Sequence, residues 1–162
     1  QLESGEVDYS TTFCTKSIML RIDIYPGSGH SFPGQLAVFN NQLYFRAEDG
    51  THGTELWKYD GTNAPSMVAD IYSGIGNSFP EFLTVFNNEL YFRAYDATLG
   101  NELWKYDGTN APSMVADIRA GSSSSSPYYL TVFNYELYFE ANDGTNGREL
   151  WKYSQQTTIT YA

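Results

Sequence analysis

Three loops with a shared pattern of oxygen-bearing side chains are the first candidates for chemistry in this sequence. They read DGTHGTE, DATLGNE and DGTNGRE, and they begin at Asp49, Asp96 and Asp143, 47 residues apart. Carboxylate, hydroxyl and carbonyl oxygens are the ligands that Ca²⁺ takes in proteins, so the aspartates form a candidate calcium site. The loops hold fewer carboxylates than an EF-hand loop, and Asp-Gly is also ordinary turn chemistry. The pattern therefore favours structural turns, with a Ca²⁺ site as the alternative.

Two sets of repeated aromatic residues could either bind a ligand or fill a core. Tyr44, Tyr91 and Tyr138 lie on the strand face opposite to the aliphatic one, which predicts that they point outward. Exposed rings at such positions can stack on sugars, so these tyrosines are candidate carbohydrate-binding residues. Burying one tryptophan removes ~150–250 Å² from water, so we predict that the three repeated tryptophans pack in a core. These are Trp57, Trp104 and Trp151.

Two further features suggest covalent chemistry. The run GSSSSSP is the only low-complexity patch, and serines beside a proline in a secreted protein suit O-glycosylation, although a flexible surface loop is the simpler interpretation. The candidate serines are Ser122, Ser123, Ser124, Ser125 and Ser126. The single cysteine, Cys14, cannot form an internal disulfide. It is therefore either a buried apolar side chain or a thiol for intermolecular pairing.

No catalytic motif occurs in the chain. His30 and His52 have no equivalents in the other repeats, and there is no GxSxG, HExxH, phosphate-binding glycine loop or Cys/His cluster. An active site is asymmetric and needed once, so repeated surfaces favour a structural or a multivalent binding role. We therefore predict that the protein is not an enzyme and requires no cofactor.

The charge of the chain argues against several partners. Acidic residues outnumber basic ones 19 to 9, and the net charge of −10 repels nucleic-acid phosphates. No apolar run approaches the ~20 residues of a membrane-spanning helix. A chain that begins at Gln1 rather than Met looks processed, although an arbitrary cut in a longer chain would look the same.

These features lie on an internal repeat of constant length. The segment ELWKYDGTNAPSMVADI occupies residues 55–71 and recurs unchanged at 102–118, and a third occurrence starts at Glu149 and stops after ELWKY. A fixed period of 47 residues is typical of solenoids, propellers and other arrays. The period predicts three units at about 17–58, 59–105 and 106–153, with strand-like tails at 1–16 and 154–162.

Each unit predicts four β-strands and no helix. In the second unit the strand-like runs are SMVADI, FLTVF, ELYFRAY and ELWKYD. Asn87-Asn88 suits a tight hairpin because Asn tolerates a positive φ. Alternation places Leu90, Phe92 and Ala94 on one face, and the opposite face is also partly apolar, so each sheet needs neighbours on both sides, as propeller blades do. The repeated segment is expected to contain the last strand of one sheet, a turn and the first strand of the next.

The repeated segment carries a resemblance to a known family. ELWKYDGT, at 55–62 and 102–109, resembles the ELWxxDGT repeat of secreted, mostly bacterial, multi-repeat proteins. Those proteins are regarded as propeller-like β-arrays outside the cell or on its surface, so the resemblance implies that architecture and location here. It implies no particular activity. The third repeat departs from the motif, since Ser154-Gln155 replaces Asp-Gly.

The number of repeats raises the question of how the array is completed. A propeller ordinarily has at least four blades, and three are present. The tails could close the chain on itself, two chains could form a ring, or chains could add strands to one another head to tail in a filament. We predict a structural or assembly protein that self-associates as a homo-oligomer or homopolymer. The alternative is a multivalent carbohydrate-binding module, and an enzyme is a more distant one.

Overall fold

The fold consists of antiparallel β-sheets throughout the part of the chain that is described. A computed structural model describes residues 19–155 and contains eleven strands in three sheets. The first sheet comprises β1 (Gly34–Phe39), β2 (Gln42–Ala47), β3 (Glu55–Tyr59) and β4 (Ser66–Ala69). The second comprises β5 (Glu81–Phe86), β6 (Glu89–Asp96), β7 (Gly100–Tyr106) and β8 (Ser113–Ala116). The third comprises β9 (Tyr128–Phe133), β10 (Glu136–Asn142) and β11 (Arg148–Tyr153).

The predicted all-β class is confirmed for this part of the chain. The sheets are open and none closes into a barrel, so the finer prediction, that they are propeller blades, stays a prediction. Between residues 19 and 155 there is no helix with the length and apolar character needed to cross a membrane.

A two-residue turn joins the first two strands of every sheet. The turns are Asn40-Asn41, Asn87-Asn88 and Asn134-Tyr135, and all six residues have φ between 47° and 61°. Positive φ at both central residues matches the twist of the flanking strands, which is why asparagine is common there. The predicted Asn87-Asn88 hairpin is confirmed.

The ELW strand and the SMVA strand belong to the same sheet. β3 pairs antiparallel with β4, which places Trp57 opposite Met67, and β7 pairs with β8 in the same register. The carboxylate of Asp60 accepts hydrogen bonds from the amides of Thr62 and Asn63 and closes a turn that reverses the chain. The prediction that this segment links two sheets is therefore wrong. The sheets span residues 34–69, 81–116 and 128–153, offset from the predicted units.

The third sheet has three strands within the described range. The position of β4 and β8 recurs at residues 160–162, which lie outside the described residues. Cys14, the predicted tail at 1–16 and most of the tail at 154–162 lie outside that range as well.

Most of the core lies in two joints, each formed where one sheet packs on the next, and a smaller cluster lies on the first sheet alone. We call the face of a sheet that points to the following sheet its C-side face, and the opposite one its N-side face. The first joint packs the C-side residues Phe39, Tyr44 and Leu56 on the N-side residues Leu90, Phe92, Ala94 and Tyr106. The second joint repeats this with Phe86, Tyr91 and Leu103 on Leu130, Leu137, Phe139 and Ala141. The predicted burial of both faces is therefore confirmed for the middle sheet.

The tryptophans pack in the core, as predicted. Trp57 is buried with Phe45 and Ala47, while Trp104 packs against the first joint and Trp151 against the second. Their large rings fill equivalent positions because the joints repeat the same geometry.

Candidate functional site

A buried glutamate fastens each joint. Glu55, the first residue of the ELW motif, has no exposed surface, and its carboxylate accepts a hydrogen bond from the Ser78 hydroxyl at 2.5 Å. It also accepts from the backbone amides of Ile71, Tyr72 and Ser78 at 3.0, 3.3 and 3.1 Å. These donors lie on residues 70–80, the segment that crosses from the first sheet to the second. One carboxylate therefore holds the crossing segment against β3.

The second joint has the same arrangement. Glu102 is fully buried and accepts from the hydroxyl and the amide of Ser125, and from the amide of Ile118 at 3.3 Å. We call this group of contacts the clasp. In it, a buried glutamate accepts hydrogen bonds from a serine and from nearby amides of the crossing segment. The clasp was not predicted from the sequence, although the sequence contains its signal: the ELW glutamate recurs at the repeat period, and so do Ser31, Ser78 and Ser125.

The environment of the clasp opposes ionisation of its glutamates. Burial raises the pKa of Glu55 and of Glu102, because a low-dielectric interior disfavours the charged form. The serine hydroxyls and amides act in the opposite direction and favour the carboxylate. A carboxylate sealed from solvent with its partners already bound is suited to fastening two sheets.

A second pair of hydrogen bonds flanks each clasp. In the first joint the amide of Thr54 donates to the Asn77 side chain at 2.7 Å, and the carbonyl of Thr54 accepts from the amide of Phe79 at 3.1 Å. In the second joint the amide of Asn101 donates to the Ser124 hydroxyl at 2.9 Å, and the carbonyl of Asn101 accepts from the amide of Ser126 at 3.0 Å. Each joint therefore combines an apolar core with hydrogen bonds that fix the position of the crossing segment.

The C-side face of the third sheet is open in the described structure. Leu150 is 76% exposed, whereas its equivalents Leu56 and Leu103 are 0% and 1% exposed within the joints. Phe133 is exposed too, although its equivalents in the first two sheets are buried. Glu149, the equivalent of the two clasp glutamates, is also exposed. Glu149 and Leu150 border a groove of about 370 Å³ that is also lined by Tyr138 and Arg148.

The N-side face of the first sheet is open in part: Phe45, Ala47 and Trp57 on this face are buried, but residues of β1 are exposed. Leu36 is 64% exposed, while its equivalent in the second joint, Leu130, is 8% exposed. Ile24 lies against part of this face, and an apolar cavity of about 150 Å³ remains between Ile24, Leu36 and Phe45. Both ends of the described structure thus present half of a joint.

The tyrosines predicted to bind carbohydrate do not form one exposed site per repeat. Tyr44 and Tyr91 are buried in the two joints, so the prediction that they point outward is wrong. The reason is that both faces of an inner sheet are covered, and burial also raises the pKa of Tyr44 to about 12. Tyr138 is half-buried on the open C-side face and donates to Glu136 at 2.8 Å.

The candidate calcium aspartates each close a tight turn. Oδ1 of Asp49 accepts from the amides of Thr51 and His52, both at 2.8 Å, and Asp96 and Asp143 make equivalent bonds. Burial alone would raise the pKa of Asp49, but these hydrogen bonds outweigh it and lower the pKa. Among residues 19–155 no three His, Cys, Asp or Glu side chains are grouped to hold a metal ion. Calcium binding stays a prediction.

The serine run is not a uniform surface loop. Ser122 and Ser123 are exposed, Ser124 and Ser126 are half-buried, and Ser125 is fully buried with its hydroxyl on Glu102. The interpretation of the whole run as a flexible surface loop is therefore wrong. O-glycosylation stays a prediction, with Ser122 and Ser123 as the accessible acceptors.

Comparison with protein-family models, with curated proteins and with solved structures finds no match to this chain. The resemblance to the ELWxxDGT repeat stays a prediction.

Proposed function

We propose that this chain is an extracellular structural protein that associates with copies of itself through its two open faces, in a filament or a ring. The observation that carries the proposal is the contrast among equivalent leucines. Leu150 is 76% exposed, while the same position is closed to solvent in both joints, at Leu56 and Leu103. The location outside the cell rests on the resemblance of ELWKYDGT to a secreted repeat and is part of the proposal.

The energetics of the open faces favour a covering partner. Burial of one leucine or phenylalanine side chain contributes about 1.5–3 kcal/mol. Phe133 and Leu150 at one end, with Leu36 and Val38 at the other, are all more than half exposed. Large exposed apolar patches are typical of interaction sites, and these residues place exposed apolar side chains on both faces.

The test is the mass of the protein in solution as a function of concentration. By light scattering and sedimentation, we expect the mass of the wild type to rise above 18.2 kDa as concentration increases. Leu150→Asp should remain monomeric because a carboxylate would have to be buried in the interface.

The matched control is Ile75→Asp. Ile75 is 88% exposed in the crossing segment between the first two sheets and lies on neither open face, so this variant should associate like the wild type. A wild type that stays monomeric throughout would overturn the proposal.

A further inference from the structure

We infer that copies of this chain associate head to tail, and that Glu149 of one copy accepts a hydrogen bond from Ser31 of the next. This inference rests on the proposed function. The C-side face of the third sheet then packs on the N-side face of the first sheet of a second copy. The chain already makes this joint twice within itself, and its two open ends carry the two halves of a third.

Both halves of the clasp are present at the repeat period. Glu149 occupies the position of Glu55 and Glu102, and it is exposed, whereas those two are fully buried. Ser31 occupies the position of Ser78, 47 residues earlier, and it is half-buried where Ser78 is fully buried. A glutamate without its serine and a serine without its glutamate stand at opposite ends of the described chain.

The half of the clasp that contains Ser31 is already in its bound conformation. The carbonyl of Ser31 accepts from the amide of Glu48 at 3.0 Å, as the carbonyl of Ser78 accepts from the amide of Tyr95 at 2.7 Å. The next residue has a left-handed backbone in both places, with φ of 42° at Phe32 and 46° at the equivalent Phe79. Little ordering is therefore needed on association, which favours affinity.

Glycines also recur at the positions where the backbones of two sheets approach closely. In the first joint Gly53 lies so near Gly76 that an added Cβ would be 1.8 Å from the Gly76 carbonyl oxygen. The position of Gly53 recurs at Gly147 and that of Gly76 at Gly29. Neither position therefore places a side chain in the proposed joint.

The charges at the rim of the proposed joint do not oppose it. Arg46 pairs with Glu81 at 2.5 Å across the first joint, and Arg93 lies 4.4 Å from the ring centre of Tyr128 across the second. The corresponding residues of the proposed joint are Glu140 and Gly34. Since Gly34 has no side chain, Glu140 meets no like charge there and keeps its ion pair with Arg148 at 2.7 Å.

A strand is available to complete the third sheet. In the first sheet β4 covers the edge of β3, but in the third sheet β11 has no partner on that edge among residues 19–155. Residues 19–22 occupy the repeat position of β4, and Met19, Leu20 and Ile22 are exposed. Addition of this segment from the next copy to the edge of β11 would restore the four-stranded pattern.

The chemistry also argues against a symmetric contact between two C-side faces. Such a contact would supply no serine hydroxyl to Glu149, because Ser31 lies on the N-side half of the clasp. The head-to-tail joint gives each glutamate the donors that Glu55 has. We therefore take a second copy in the same orientation as the partner.

Two blocking variants separate this inference from the proposed function. Leu150→Asp blocks the C-side face, and Leu36→Asp blocks the N-side face at a residue that is 64% exposed. We expect each variant alone to be a monomer and a mixture of the two to form a dimer that grows no further, since one intact face of each kind remains. If Leu36→Asp alone still dimerises, association is symmetric and the inference fails while the proposed function stands. If the wild type never associates, both fail.

The mixture of Leu36→Asp and Leu150→Asp chains contains only one joint between copies, so the contribution of the clasp can be measured in that joint alone. Glu149→Ala is placed in the Leu36→Asp chain and Ser31→Ala in the Leu150→Asp chain, and Kd is measured by calorimetry. Hydrogen bonds to a charged group contribute about 1.5–3 kcal/mol, so each change should weaken the dimer about 10- to 100-fold.

The double-mutant cycle provides the decisive readout. With both changes present the dimer should be little weaker than with Glu149→Ala alone, because the two side chains form one contact. Ser123→Ala, at an exposed serine away from both open faces, should leave Kd unchanged. Additive effects, or no effect of either change, would overturn the clasp.

Discussion

The run of five serines offers a sharp test of the clasp inside one chain. Ser125→Ala removes a hydroxyl that donates to Glu102 in a fully buried site. Ser122→Ala is the matched control, because it makes the same chemical change three residues away at an exposed position. In the sequence the two serines are equivalent members of GSSSSSP.

The magnitude follows from what each hydroxyl contacts. A hydrogen bond to a charged group contributes about 1.5–3 kcal/mol, and its loss leaves a carboxylate oxygen without its partner in the interior. We therefore expect Ser125→Ala to lower the free energy of unfolding by about 2 kcal/mol. For a chain of this size that corresponds to a fall in Tm of about 4–8 °C. Surface substitutions usually change stability by less than ~0.5 kcal/mol, which is the expectation for Ser122→Ala.

Urea unfolding monitored by tryptophan fluorescence measures both variants. Trp104 and Trp151 pack against the two joints, so their emission reports the packing that the clasp supports. The expected result is a lower urea midpoint for Ser125→Ala at an unchanged slope. Equal midpoints for Ser122→Ala and Ser125→Ala would refute the assignment of the clasp to Ser125.

Two further predictions concern ionisation and the hairpin turns. Burial raises the folded-state pKa of Glu102, so its stabilising contribution is complete below the unfolded pKa and is lost as pH rises through the folded value. The free energy of unfolding of Glu102→Gln minus that of the wild type should therefore rise from pH ~4 towards neutral, and a flat difference would contradict this. Tyr135 is 91% exposed with φ of 61°, which suits Asn better than Tyr. A left-handed backbone costs most residues about 1–2 kcal/mol but is readily adopted by Asn, so Tyr135→Asn should raise Tm, and a lower Tm would argue against the turn geometry.

Features that depend on neighbouring residues were predictable from the sequence. Alternation along one strand placed Leu90, Phe92 and Ala94 on one face, and Asn87-Asn88 predicted the turn before them. Both depend on φ preferences and on the two-residue period of a strand, which act over a few residues. The repeat period then extended one unit to the other two.

The assignment of strands to sheets was harder to predict from the sequence. SMVA follows ELWKY after a turn-forming stretch in both repeats, and the sequence does not say whether that turn ends a sheet or continues it. The hydrogen bonds of Asp60 and the pairing of Trp57 with Met67 show that it continues the sheet. Strand pairing depends on which backbone edges are free, a property of the whole fold.

By itself the sequence determined the β class, the hairpins, the repeat and the packing of its tryptophans against the core, because each of these follows from local backbone preference or from the apolar area of a side chain. Only the tertiary structure decided that Tyr44 and Tyr91 are covered, that Ser125 differs from Ser122, and that Glu149 stands where Glu55 is buried. The physical reason is that burial is set by the neighbouring sheet. Identical residues at the same position of the repeat therefore differ in environment, because a second sheet covers some of them and leaves the others exposed to solvent.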